Sequence, residues 1–208
     1  MTSRWSALLS PEDPVLLLVD PQPGLALVVE SQSRGALENN LLALAKTAVA
    51  FSLPVVLTTS ASSKYSGLAL PALRAALGDV PHIERTGINA WEDPGVVGAI
   101  HATGRKTVVI AGLLTEACVA FTTLSAIAAE FDVRVVVDAC GASSIIAQET
   151  SIKLMMQAGM IPRTWLQFLL ELQRDWTRTS TYAAAASIVD AHAGAYGIGL
   201  AYAKAMLH

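Results

Sequence analysis

The chain alternates short, almost wholly apolar runs with longer helical ones, and this alternation restricts its fold more than any other feature. Residues 15–20 read VLLLVD, 54–59 PVVLTT, 106–112 KTVVIAG and 133–139 VRVVVDA. Strands that are apolar on both faces must be covered on both faces, which points to a parallel sheet between two helical layers. HIER at 82–85 reads as another strand, and a short one is expected near 160–163. Helical patterns occupy 36–51, 94–102, 118–129, 146–157 and 164–175. The predicted fold is α/β: a three-layer, Rossmann-like parallel sheet joined by right-handed crossovers, plus a C-terminal helical extension. No linker or repeat divides residues 1–176, which read as one domain of a size that buries a full core. Residues 177–208 read as the extension. It is rich in alanine and glycine and poor in charge, so as a lone helix it would expose too much apolar surface. It is expected to pack on the domain or on a neighbouring subunit. Its GAYGIG stretch has no strand before it and the wrong glycine order for a dinucleotide loop.

Several function classes find no support. Net charge is −3 and no cluster of Lys and Arg occurs, so neither nucleic acid nor an anionic membrane has an electrostatic footprint. The stretch 107–129 is long enough for a membrane span, but Gly112 and Glu116 fit a strand, a turn and a helix better. The opening MTSRWSALLSPEDP lacks the pattern of a signal peptide. Two cysteines make no disulfide framework, and a reducing cytoplasm is the expected setting. The four histidines are scattered without ligand spacing, so no metal is expected. His82 lies near the expected site edge and is a minor candidate for touching substrate. His192 reads as a packing or surface residue.

In open α/β sheets ligands bind beyond the carboxyl ends of the strands. The polar residues at those ends are Asp20, Arg85, Thr115, Glu116, Cys118 and Asp138. Cys118 falls near a predicted helix N-terminus, where amide groups and the helix dipole favour a thiolate, and Arg85 would add to that. Asp20 could take the thiol proton and return it to a leaving group. Each residue also has a plain structural reading. Cys118 could be a small buried side chain, Asp20 a cap and Arg85 a surface charge. Asp138 reads as a cap for the turn before GASS, and Cys140 as structural.

LLLVDPQPG, INAW, IAGLLTEACVAF and VVVDACGAS, in this order, resemble the isochorismatase-like cysteine hydrolase superfamily. A late stretch, AGMIPRTWLQFLLELQRDW, is similar to its YcaC-like subgroup. The resemblance spans residues 14–176. It implies a catalytic triad of Asp20, Arg85 and Cys118, with arginine where many relatives carry lysine. Arginine keeps the charge but does not readily give up a proton. The resemblance also implies a cis peptide at Leu114–Thr115, which would help aim the N–H groups of Leu114 and Cys118 at a substrate oxygen. Metal-dependent nicotinamidases of the superfamily carry Asp-x-His where this chain has TTSAS (58–62), so zinc or iron is not expected. Members that cleave the ether of isochorismate do not rely on the cysteine.

The expected activity is therefore a metal-independent, cofactor-free cysteine hydrolase acting on an amide-like C–N bond of a small molecule through a thioester. Gln22, Asn89, Trp91 and Phe121 are expected pocket residues. Two alternatives remain at this point: an isochorismate-type ether hydrolase, and a non-enzymatic oligomeric scaffold or thiol sensor. The resemblance implies a homo-oligomer, often an octamer.

Overall fold

The computed structural model describes residues 8–207. The elements run β1 (Pro14–Val19), α1 (Pro23–Ala26), α2 (Arg34–Ala50), β2 (Val55–Ser60), α3 (Pro71–Leu77) and β3 (His82–Arg85). They continue with α4 (Pro94–Ala102), β4 (Thr107–Leu113), α5 (Ala120–Ala128), β5 (Asp132–Gly141), α6 (Ile145–Ala158) and β6 (Ile161–Arg163). α7 (Trp165–Gln173), α8 (Thr179–His192) and α9 (Ala195–Met206) close the chain. The strands form one sheet of order β3-β2-β1-β4-β5-β6, with every pair parallel. α2 packs with α3, α7 and α8, whereas α5 packs with α6 and the turn Ala90–Glu92. This is the expected three-layer α/β fold. β1 and β4 are buried along their whole length, because they are the central strands under both helical layers.

The order of strands reverses between β1 and β4, and that crevice is where a doubly wound sheet opens a site. Glycine is required there. Gly112 has φ +136°, and a Cβ on it would lie 1.8 Å from the Val19 carbonyl oxygen. Its absence lets β4 close against the end of β1, directly below Asp20.

The structure refines the helices. α1 and α3 start on prolines at their first turns, a placement that tolerates the missing N–H, and neither was marked by periodicity. The tail is two helices, broken at Gly194 (φ +52°). α8 belongs to the body of the fold: Ala185, Ala186, Ile188 and Val189 are buried. Asn39 donates to the His192 carbonyl at 3.0 Å, and His192 lies between Asn39 and Lys46 at 2.9 Å from each. α9 folds back on α8, fastened by Lys204 to Asp190. Its residues Ile198, Tyr202 and Met206, spaced four apart on one face, are exposed. Among the described residues, no helix is long and apolar enough to cross a membrane.

Candidate active site

Three of the strand-end residues meet in the crevice. Asp20 follows β1 in a left-handed conformation (φ +50°), one that aspartate tolerates better than most residues. Its amide donates to the Thr58 carbonyl at 2.9 Å, which fixes the turn to β2. Arg85 ends β3 and reaches across β2. Its Nη1 donates to Asp20 Oδ1 at 2.5 Å, and its Nη2 to Oδ2 at 2.7 Å. Both side chains are almost wholly buried. Arg85 also donates to Thr58 Oγ1 (3.2 Å) and to the Ile88 carbonyl (3.0 Å), while Ser60 Oγ donates to Asp20 Oδ2 (3.2 Å). A bidentate, further bonded pair of this kind can hold two charges in a dry interior. The strand-end search missed Thr58 and Ser60. The signal was present, since residues two apart on a strand share a face.

Cys118 lies in a π-helical turn, Thr115–Val119, that precedes α5. It is buried, and its thiol lies beside the Asp20 carboxylate, close enough to feel it. Burial, and after it the Asp20 carboxylate, push the thiol pKa up to about 12, against the opposing pull of Arg85 and the Leu114 N–H. This corrects the expectation of a thiolate held by Arg85 and a helix terminus. Arg85 is committed to Asp20, so the resting group is a thiol beside a carboxylate. Below such a pKa the thiolate fraction grows with pH. Alkylation of Cys118 by iodoacetamide is therefore expected to accelerate about tenfold per pH unit between roughly pH 7 and 10. A rate that levels off near neutrality would contradict this environment.

The cis peptide lies one link earlier than expected, at Leu113–Leu114. β4 stays paired through Leu113 and Gly141, so the chain must turn at the very next bond. The Leu114 carbonyl then accepts from the amides of Ala117 (3.1 Å) and Val119 (3.2 Å). Thr115 is buried and donates to Gln148 Oε1 at 2.6 Å.

The expected pocket residues separate. Phe121 is 44% exposed and sits three residues after Cys118, close to its helical face. Gln22 is buried with its amide occupied: Nε2 donates to the carbonyls of Ser60 (3.1 Å) and Gly67 (2.5 Å), and Oε1 accepts from the Ser60 amide (3.0 Å). Its position is that of a brace between loops. Asn89 is likewise engaged, capping Trp91 and donating to Glu92 and to Ser125 Oγ. Trp91 packs edge-on against Phe131 at 5.1 Å, and Phe131 immediately precedes β5. The 89–92 segment packs on α5, and the Trp91 ring reaches the start of β5.

His82 begins β3, three residues from Arg85, and bonds Thr59 Oγ1 at 2.7 Å; it lies outside the site. Asp138 caps the first amide of α7, Trp165 N at 2.9 Å, in place of the turn before GASS. Cys140 is fully buried and its thiol is pushed up to about 12 by that burial. Among the described residues no group of three or more His, Cys, Asp or Glu is placed to hold a metal. Leu27, Tyr65, Leu68, Ile88, Phe121 and Ile145, in the segments that follow β1 to β5, are exposed apolar side chains.

The Isochorismatase domain model matches residues 14–167, which contain the whole sheet and all three crevice residues. This chain belongs to the isochorismatase family. A curated relative, the probable hydrolase YcaC of Escherichia coli K12, is 44% identical over 169 residues, 81% of each chain. The solved structure of the E. coli YcaC gene product, described as an octameric hydrolase of unknown specificity, superposes with a TM-score of 0.91 at 40% identity, covering 97% of this chain and 98% of that one. YcaC from Pseudomonas aeruginosa, solved with hexane-2,5-diol and covalent acrylamide, gives a TM-score of 0.90 at 37% identity over 95% and 97% of the two chains. As an isochorismatase-family member with these relatives, the chain is a hydrolase.

Proposed function

We propose that this chain is a metal-independent cysteine hydrolase that cleaves an amide-like C–N bond of a small molecule through a thioester intermediate. The observation that carries the reading is a buried cysteine thiol beside a buried carboxylate that Arg85 holds with two hydrogen bonds. Asp20 takes the thiol proton as sulfur attacks the substrate carbonyl, so no standing thiolate is required. The developing oxyanion is met by the main-chain N–H groups of Leu114 and Cys118. The tetrahedral adduct collapses, the C–N bond breaks, and the amine leaves with the proton from Asp20. Water, deprotonated by Asp20, then hydrolyses the thioester to a carboxylic acid and restores the thiol.

Arg85 acts electrostatically throughout, holding Asp20 in place. Gln22 and Asn89 act as positioning residues, and Phe121 supplies an apolar contact at the mouth. The P. aeruginosa relative was solved with covalent acrylamide, whose alkene is a target for thiols, and this supports a reactive thiol as the working group. The test is ammonia release from a panel of primary amides, imides and ureides. Turnover of at least one class is expected, and silence across the panel would refute the reading.

The chain is further proposed to act as a homo-oligomer, an octamer as in the E. coli relative. The exposed face of α9 is its proposed contact. Replacing Ile198 and Tyr202 together by glutamate is expected to reduce the particle mass in light scattering. An unchanged mass would remove α9 from the interface.

A further inference from the structure

The pairing of β5 with β4 contains a long irregularity. Ile110 pairs with Val135 and Gly112 with Cys140, so Ala111 alone faces residues 136–139 of β5. A bulge of this kind leaves backbone groups without ladder partners. Here side-chain amides serve the carbonyls. The Asp138 carbonyl accepts from Gln32 (3.2 Å) and Asn40 (2.8 Å), and the Cys140 carbonyl from Gln32 (2.8 Å). The third amide is Gln148 of α6, whose Nε2 donates to the carbonyls of Val137 (3.1 Å) and Cys140 (3.3 Å).

Gln148 differs from the other two in what its oxygen does. With Nε2 committed to two acceptors, Oε1 is left as an acceptor, and it takes the Thr115 hydroxyl at 2.6 Å. Thr115 follows Leu114, the residue whose N–H faces the Cys118 sulfur. One side chain therefore spans α6, the β5 bulge and the turn that carries the nucleophile. We propose that Gln148 is a positioning residue for Cys118, holding the Thr115–Val119 turn at a fixed distance from β5 so that the thiol stays aligned with Asp20. This deepens the proposed function and rests on Cys118 being its nucleophile.

The test uses the full chain and the second-order rate of Cys118 alkylation by iodoacetamide at about pH 8, with the modified peptide identified by mass. This readout requires no amide turnover, so it can succeed or fail independently of the proposed reaction. Gln148→Met keeps the size of the side chain and removes both kinds of hydrogen bond, and Thr115→Val removes only the hydroxyl. Each is expected to change the rate by about tenfold, and the double variant by no more than either alone, the mark of one shared contact. Thr115→Ser, which restores the donor, is expected to recover most of the change. A purely structural Gln148 would lower the melting temperature and leave the alkylation rate of folded protein unaltered. That result, additive effects, or failure of serine to rescue would overturn the proposal.

Discussion

Replacing Arg85 by methionine is expected to destabilise the chain by about 3–5 kcal/mol, because it strands a buried carboxylate without its counter-charge. Asp20 and Arg85 have essentially no exposed side-chain surface, so solvent cannot screen the loss. Against a typical total stability of roughly 5–15 kcal/mol this is a large fraction. Asp20→Asn should cost a similar amount for the converse reason, since it leaves a buried guanidinium unpaired. Arg85→Lys keeps the charge and surrenders the second hydrogen bond, so its loss should be smaller, on the order of 2 kcal/mol. The double variant Asp20→Asn with Arg85→Met removes both charges and should be milder than the sum of the singles. Thermal or denaturant unfolding of the four variants measures the set. Equal stability of Arg85→Met and wild type would show that the pair is not the electrostatic anchor of the crevice.

Cys118→Ala should behave in the opposite way, folding well and failing to turn over. The substitution removes one buried sulfur, a packing loss on the order of 1 kcal/mol. Asp20 keeps both bonds from Arg85 and the one from Ser60. Activity on any amide that the wild type hydrolyses should fall by at least about 10³-fold, as expected when a nucleophile is deleted and only binding and oxyanion stabilisation remain. Asp20→Asn should give a comparable loss without removing the thiol. A Cys118→Ala enzyme retaining more than about a tenth of the wild-type rate would shift the chemistry to direct attack by water assisted by Asp20, the route expected of an ether-cleaving relative.

The fold was legible because its central strands carry no ambiguity. VLLLV and TVVIAGL are buried on both faces, and nothing but a covered parallel sheet accommodates them. The rule that sites open at carboxyl strand ends brought Asp20, Arg85 and Cys118 into one set, and the family resemblance assigned them roles. What could not be read depended on who meets whom in three dimensions. Gln22 and Asn89 carry amides suited to a ligand, yet tertiary packing gave those amides to Ser60, Gly67, Glu92 and Ser125. The packing of Trp91 against Phe131 likewise depends on a tertiary meeting that the sequence does not display. The thiol was expected to be acidic because Arg85 was assumed to face it, whereas the guanidinium is spent on Asp20. The bulge in β5 left no mark on an apolar run that simply continues, and Gln148 was invisible without it.

The central claim is that Cys118 forms a covalent acyl intermediate. The direct measurement is rapid acid quench of the enzyme during turnover of the best amide from the panel, followed by peptide mass analysis. The account predicts an acyl group on the peptide containing Cys118, formed before the acid product accumulates and absent from Cys118→Ala. Steady turnover with an unmodified Cys118 peptide at every quench time, matched by undiminished turnover in Cys118→Ala, would contradict it.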